Sequence, residues 1–88
     1  MSWRIEIKPS AEKQYLKLGK KTRQRIKDVL RALEEEEKPL LHSRVRPLTG
    51  RLKGDFRVRV GAWRLLFTPD RDSRVLHVYA ILPRSRAY

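Results

Sequence analysis

The feature that most constrains the fold is a predicted hairpin over residues 55–68, where the segments DFRVRV and WRLLFT flank Gly61-Ala62. Apolar and charged residues alternate in the first segment, and this period of two is typical of a strand with one buried face. A two-residue loop with glycine in the first position favours a type II′ turn. Such a turn fixes the strand register, so that Val60 is predicted to lie opposite Trp63.

The register assigns the hairpin side chains to two faces, because directly paired residues lie on the same side of a sheet. One face is apolar and is predicted to form the core; it carries Phe56, Val58, Val60, Trp63, Leu65 and Phe67. The other face carries Arg57, Arg59, Arg64, Leu66 and Thr68. Arg59 and Arg64 are then direct cross-strand partners, and like charges that face each other destabilise a sheet.

Arginine stays protonated under all ordinary conditions and cannot relieve this repulsion by losing a proton. The two side chains can extend apart into water, as long cationic side chains on an exposed surface often do. The alternative is that an anion binds between them. Arg57 on the same face, and the lack of Asp or Glu in register with these arginines, favour a phosphate site.

A first strand is predicted at residues 3–8, where apolar and charged residues alternate. Pro9 ends this strand, and Ser10 is the predicted N-cap of a helix over residues 11–18. Gly19 is expected just past the end of that helix.

A second, longer helix is predicted over residues 22–37, with an apolar stripe formed by Ile26, Val29, Leu30 and Leu33. Its last turn, Glu34–Glu37, is expected to be solvated surface, because consecutive carboxylates splay around a helix and do not converge on a metal. Residues 39–54 are predicted to form an irregular basic loop, since they contain two prolines and two glycines. The remaining strands are predicted at residues 55–60, 63–68 and 74–82.

This order of elements predicts an α+β fold, in which an N-terminal strand and a two-helix hairpin pack on a mostly antiparallel four-stranded sheet. A chain of 88 residues is too short for a second hydrophobic core. Residues 1–88 are therefore expected to form a single domain.

The charge is high and uneven. Lys and Arg number 22 against 10 Asp and Glu, which gives a net charge of +12. Residues 38–88 hold 12 basic and 3 acidic residues, whereas residues 1–37 hold 10 and 7. A surplus of positive charge concentrated in one half indicates a polyanionic partner more than a surface tuned for solubility. A membrane surface fits less well as the partner, because the basic half lacks a long amphipathic helix.

Several classes are disfavoured by composition. The chain has no cysteine, which removes disulfides, thiolate catalysis and cysteine-ligated zinc. No apolar run approaches the 18 residues needed to span a bilayer, and the first residues lack a signal-peptide core. These features predict a soluble, cytoplasmic protein without a metal site.

The residues after the last predicted strand continue the basic pattern with Arg84, Arg86 and Tyr88. The planar guanidinium of arginine binds phosphate in a bidentate manner, and a tyrosine can stack on an unpaired base. These residues are compatible with an extension of the phosphate site; the alternative is that Tyr88 is only exposed surface, which is the commoner case for a tyrosine at a chain end.

The arrangement PLTGRLKGDFRVRVGAWRLLF, followed by the strand VLHVYAIL and the tail PRSRAY, resembles the RelE/ParE toxin superfamily, and more closely the RelE branch of toxin–antitoxin modules. The helix pair before it matches in length and position, so the resemblance covers nearly the whole chain. It implies a RelE-like fold and a ribosome-dependent mRNA interferase, in which the 2′-hydroxyl of the RNA attacks the adjacent phosphate without a metal or cofactor. The implied partners are the ribosome, mRNA and a RelB-like antitoxin that covers the basic face.

The resemblance also implies roles for particular residues. Arg64 matches the strand arginine that steadies the scissile phosphate, Arg84 the arginine assigned to transition-state charge, and Tyr88 the C-terminal tyrosine that stacks on or orients a nucleotide. Arg57 and Arg59 stand where well-studied members carry lysines. Further RNA contacts are expected from Arg51, Lys53 and Arg86.

Two departures from the family pattern bear on activity. Arginine is a poor proton acceptor, so the arginines at the lysine positions leave Tyr88, or no protein group, as the general base. His42 and His77 are expected to be packing or surface residues. Tyr88 is the last residue of the sequence, and its α-carboxylate would add a negative charge beside the phosphate site.

Two other functions stay open. The ParE branch shares the fold but inhibits DNA gyrase, and the arginine-lined face and the basic tail favour the nuclease over it. A module that binds RNA or the ribosome without cleaving would keep the charge and its salt sensitivity.

Overall fold

The computed structural model describes residues 2–86. The strands are β1 (Arg4–Ile7), β2 (Val45–Pro47), β3 (Phe56–Val60), β4 (Trp63–Asp70) and β5 (Val75–Pro83), and the helices are α1 (Pro9–Leu16) and α2 (Lys20–Glu35). Short 3-10 turns lie at Pro39–Leu41, Gly50–Leu52 and Arg84–Arg86.

The hairpin of β3 and β4 forms in the predicted register, with Val60 opposite Trp63 and Arg59 opposite Arg64. Gly61 adopts a φ of +59°, whereas Ala62 is not among the described residues with positive φ. A positive φ at the first central position alone is the signature of a type II′ turn. The turn chemistry therefore sets the register as the sequence predicts.

The strands form one sheet in the order β1-β5-β4-β3-β2. Only the pairing of β1 with β5 is parallel; the other three pairings between the described strands are antiparallel. The predicted α+β fold with a mostly antiparallel sheet is confirmed. The sheet has five strands and not four, because part of the predicted basic loop forms the edge strand β2.

The outer edge of β2 offers little to another strand. Arg59 N–H donates to the Arg44 carbonyl, and Leu48 N–H donates to the Asp55 carbonyl. Along an antiparallel strand, residues alternate between bonding to the neighbouring strand and facing away from it. The backbone N–H and C=O groups of Val45 therefore point to the outer edge. The Val45 N–H is already bonded to the His42 carbonyl at 2.9 Å. Pro47 has no N–H, and edge strands are commonly blunted in this way.

The first helix begins and ends two residues earlier than predicted. Pro9 is its first residue, where a missing N–H costs nothing, and Lys8 takes the N-cap position. Ser10 is therefore not the N-cap; its hydroxyl donates to the Tyr79 carbonyl at 2.8 Å and ties α1 to β5. Gly19 is the N-cap of α2 in extended conformation.

Both helices cover one face of the sheet. The core contains the predicted apolar face of the hairpin together with Ile26, Leu30 and Leu33 of α2. Phe67 is 1% exposed, and its ring stacks with that of Phe56 at a centroid distance of 6.0 Å and an interplanar angle of 18°. The opposite face of the sheet carries the arginines.

The acidic end of α2 is not only solvated surface. Glu35, Glu36 and Glu37 are exposed, as predicted, but Glu34 is half-buried. Its Oε2 accepts the Ile5 N–H at 3.3 Å, so it satisfies a backbone donor of the edge strand β1. In the part of the chain that the structure describes, no helix is long and apolar enough to cross a membrane.

Candidate nucleic-acid interface

Four arginines share the sheet face that the helices leave uncovered. Arg57 and Arg59 alternate along β3, Arg64 of β4 pairs with Arg59, and Arg46 of β2 pairs with Arg57. We call Arg46, Arg57, Arg59 and Arg64 the arginine face. Leu66 pairs with Arg57 and is 4% exposed, so the cations surround a buried apolar side chain. Electrostatic attraction to an anion is stronger near such low-dielectric surface.

Arg46 is the member of this face that sequence reasoning missed. It lies in a three-residue strand that contains a proline, and no local pattern predicts the pairing with β3. Arg44 lies beside it and bonds to β3, with its Nη1 3.4 Å from the Arg59 carbonyl oxygen. The only available signal was the spacing of Arg44 and Arg46, which alternate in the same manner as Arg57 and Arg59.

The two arginines of β3, Arg57 and Arg59, differ in how far hydrogen bonds restrain their side chains. Arg57 is half-buried, its Nη1 donates to the Arg44 carbonyl at 2.9 Å, and its buried Nε has no hydrogen-bond partner among the described residues. Arg59 is exposed, and within residues 2–86 its guanidinium makes no hydrogen bond or ion pair. Arg59 can therefore bind a ligand directly, whereas Arg57 also fastens β3 to the chain that precedes β2.

The hairpin turn gathers two predicted site residues. Arg64 Nη1 donates to the carbonyls of Gly61 and Trp63, at 3.0 and 2.9 Å, which holds its guanidinium beside the turn. The Arg84 N–H donates to the Ala62 carbonyl at 2.8 Å, so the chain after β5 starts next to the same turn. Hydrogen bonds to neutral carbonyls orient a guanidinium without cancelling its charge.

A carboxylate also lies on this side of the sheet, contrary to the expectation that none is in register. Asp55 precedes β3 by one residue and shares the orientation of Arg57. Its Oδ1 accepts from Thr68 Oγ1 at 2.9 Å and its Oδ2 from Tyr79 Oη at 2.7 Å. Asp55 thus joins the start of β3 to β4 and β5, at the end of β3 away from the turn.

Tyr79 stays neutral over a wide pH range. Burial raises the pKa of its phenol well above the ordinary value of 10, and the hydrogen bond to Asp55 and the negative charge of that carboxylate act in the same direction. A raised pKa in the folded state means that the phenol contributes stability below pH 10, and that this contribution is lost as the pH rises further. Tyr79 is accordingly a hydrogen-bond donor and not a base near neutral pH.

This assignment predicts the alkaline titration of the protein. Tyrosinate absorbance should be measured for the wild type and for Tyr79→Phe from pH 9 to 12, with circular dichroism to detect unfolding. Because the phenol of Tyr79 ionises late, the two curves should coincide up to about pH 11 for the folded protein. A step centred near pH 10 that Tyr79→Phe removes would contradict the Asp55–Tyr79 bond.

The structure brings only part of the predicted site together. Arg57, Arg59 and Arg64 share a face with Arg84 near its end, and Arg86 is exposed in the following 3-10 turn. Arg51 and Lys53 are exposed but lie before β3, at the opposite end of that strand from the turn. Tyr88 falls outside the described residues.

The histidines lie in other surroundings. His42 Nδ1 accepts the Arg44 N–H at 3.1 Å, which fixes the loop before β2. His77 pairs with Thr68, four residues along β4 from Arg64, which corresponds to roughly 13 Å. Its Nδ1 lies 3.7 Å from Glu6 Oε1. Among residues 2–86, no three His, Cys, Asp or Glu side chains converge as metal ligands would.

Two helices on one face of a five-stranded, mostly antiparallel sheet is an arrangement that matches the fold of solved RelE toxin structures. Residues 5–88 match the family described as the ParE toxin of the type II toxin–antitoxin system, parDE. The chain belongs to this family, and its predicted resemblance to the RelE/ParE superfamily is confirmed. No curated protein sequence matches the chain.

Solved toxin structures share the fold over all or most of their length. The archaeal RelE–RelB complex from Pyrococcus horikoshii contains a chain 27% identical, with a TM-score of 0.79 over 99% of this chain and 100% of that one. The RelBE2 complex from Mycobacterium tuberculosis gives 21% identity and a TM-score of 0.82 over 96% and 100%. The YoeB–YefM complex from Staphylococcus aureus gives 20% identity and a TM-score of 0.70 over 92% and 95%.

Proposed function

We propose that this toxin is a ribosome-dependent endoribonuclease that cleaves mRNA in the ribosomal A site and so stops translation. The observation that carries the proposal is the pairing of Arg59 with Arg64 on an exposed sheet face, with Arg84 beside the same hairpin turn. Directly opposed like charges cost stability, and an RNA phosphate between them would turn that cost into binding. The 27% identity to a RelE chain over its full length agrees with this branch.

In the proposed reaction, the 2′-oxygen of the RNA bonds to the adjacent phosphorus while the bond to the 5′-oxygen breaks. The products are a 2′,3′-cyclic phosphate and a 5′-hydroxyl end, and the proton of the 2′-hydroxyl passes to a base as the 5′-oxygen gains one. Negative charge grows on the phosphoryl oxygens in the transition state. Arg64 would steady the phosphate, and Arg84 would stabilise the developing charge.

Preorganisation supports this division of roles. The two carbonyl bonds of Arg64 hold its guanidinium before substrate arrives, so little reorganisation is needed during reaction. Arg59 has no such restraint among the described residues and would close on the phosphate from the opposite strand. Arg57 would contribute charge from its fixed position, and Arg46 would extend the electrostatic attraction along the face.

Proton transfer needs a different group, because arginine is a poor proton acceptor. Tyr79 stays protonated for the reasons given above, so it does not supply a base near neutral pH. We assign the base to Tyr88 or to no protein group, in which case positioning and charge stabilisation provide the rate enhancement.

The proposed partners follow from the family and from charge. The relatives from Pyrococcus horikoshii and Mycobacterium tuberculosis are toxin–antitoxin complexes with RelB-type partners. We propose a RelB-like antitoxin that covers the arginine face with acidic residues. Action on ribosomes and mRNA would place the toxin in the cytoplasm.

A second candidate is inhibition of DNA gyrase, and the specific observation in its favour is the match to the ParE family. One experiment separates the functions. The purified toxin is added to ribosomes programmed with a defined mRNA, 5′-hydroxyl ends are mapped, and gyrase supercoiling is measured in parallel, with Arg64→Ala and Arg84→Ala as variants.

The nuclease proposal expects cuts in the A-site codon that both variants lose. Intact mRNA together with blocked supercoiling would overturn it in favour of gyrase inhibition. Ribosome binding without either effect would leave a module that binds RNA and does not cleave.

A further inference from the structure

Arg25 of α2 lies directly over the hairpin turn. A Cβ placed on Gly61 would lie 3.4 Å from Arg25 Nη1, 3.6 Å from Cζ and 3.7 Å from Nη2. Three nearly equal distances mean that the guanidinium plane lies flat on the glycine. The helix thus delivers a cation to the same turn at which Arg64 and Arg84 are anchored, although it packs on the other side of the sheet.

Stacking leaves the hydrogen-bonding edge of Arg25 exposed. Arg25 is exposed, and within residues 2–86 its guanidinium has no hydrogen-bond or ion-pair partner. A planar guanidinium that is supported on one face loses little side-chain entropy when its edge binds a phosphate. Arg25 is therefore a third cation held at the turn, in addition to Arg64 and Arg84, and it is not part of the arginine face.

The surface behind Arg25 is also basic. Lys21 lies one helical turn earlier on the same flank of α2, at the spacing that makes side chains neighbours. Asp28, the nearest acidic residue along the helix, bonds to Gln24 at 2.9 Å. From residue 13 to residue 27 the chain holds no acidic residue and seven cations, which are Lys13, Lys17, Lys20, Lys21, Arg23, Arg25 and Lys27.

We infer that the RNA-binding surface continues around the hairpin turn onto α2, where Arg25 and Lys21 bind the phosphates of a second RNA segment. This inference rests on the proposed function of the arginine face. The two surfaces lie on opposite sides of the sheet and approach each other at the Gly61-Ala62 turn, so one straight strand cannot contact both. The partner that fits is a folded RNA, with a stem or a bend at the turn.

Equilibrium binding tests the inference without relying on cleavage. Fluorescence anisotropy is measured with a labelled RNA stem-loop carrying a single-stranded tail, and with the tail alone, from 50 to 300 mM KCl. The variants are Arg25→Gln, Arg25→Lys, Arg59→Gln and Arg31→Gln. Arg31 is the matched control, since it lies on α2 near the opposite end of the helix, in a groove with Glu34 and Glu35.

Arg25→Gln should weaken binding of the stem-loop about three- to tenfold, and lower the slope of log K against log salt by about one. Binding of the tail alone should change less than twofold, and Arg31→Gln should match the wild type. Arg25→Lys should keep the salt slope because it keeps the charge. Equal losses in Arg25→Lys and Arg25→Gln would overturn the inference, since packing on Gly61 would then be the cause.

The control variants separate two kinds of failure. If Arg59→Gln weakens binding and Arg25→Gln behaves as Arg31→Gln does, the extension onto α2 is wrong and the arginine face stands. If Arg59→Gln has no effect either, the proposed function of the arginine face fails and the inference fails with it. Melting curves for each variant identify any loss that comes from unfolding.

Discussion

Replacing Arg59 and Arg64 together by glutamine is expected to lower the rate of mRNA cleavage about a thousandfold or more. One donor aimed at developing negative charge contributes roughly a hundred- to a thousandfold in rate, and the double variant removes two facing donors. The repulsion between the paired guanidiniums disappears, but so do the bonds of Arg64 to the turn carbonyls, so the free energy of unfolding should change by no more than about 1 kcal/mol. Single-turnover cleavage on programmed ribosomes measures the rate, and urea denaturation measures the stability.

The matched control for this variant is Arg71→Gln, which removes an exposed arginine from the turn between β4 and β5. It changes net charge without touching the arginine face and should cleave within about twofold of the wild type. If the double variant retained wild-type cleavage, the arginine face would not hold the scissile phosphate. A loss shared equally by Arg71→Gln would attribute the effect to overall charge.

The largest effect on stability is expected for Phe67→Ala. Phe67 is almost fully buried and stacks on Phe56, so its removal leaves a cavity between the helices and the sheet. Such truncations cost about 3–5 kcal/mol, against a total of roughly 5–15 kcal/mol for a small domain. The variant should be partly unfolded at 37 °C, and urea denaturation followed by tryptophan fluorescence would report the loss.

Leu41→Ala provides the comparison, because Leu41 is 78% exposed. Its free energy of unfolding should stay within about 0.5 kcal/mol of the wild type. A small effect of Phe67→Ala, similar to that of Leu41→Ala, would contradict the placement of Phe67 at the centre of the core.

The hairpin could be predicted residue by residue because its turn type and register depend on residues that are close together in the sequence. Glycine at the first turn position selects one turn type, the turn fixes the register, and the register assigns each side chain to a face. The pairing of Arg59 with Arg64 followed from Gly61-Ala62 without knowledge of the rest of the fold, and the structure confirms it.

Features that depend on distant partners could not be predicted. Val45–Pro47 forms a strand only because β3 is beside it, and three residues with a proline carry no strand pattern of their own. In the sequence, nothing distinguishes Arg25 from other exposed cations on a helix, because its distance from Gly61 is set by how α2 packs on the sheet. Asp55 lies inside the predicted strand and shares the alternation of Arg57 and Arg59, but its bond to Tyr79 depends on the position of β5.

The closed edge of β2 has a consequence for handling the protein. Two independent features oppose self-association: the net charge of +12, and an edge strand with no free donor at Val45 or Pro47. Salt screens the repulsion between the net charges, because the Debye length shrinks to about 3 Å at 1 M. Salt does not change the second feature, because it cannot provide free N–H groups at Val45 or Pro47. High salt, the condition that strips bound RNA from a basic protein, therefore removes the repulsion between molecules without opening this edge to sheet extension.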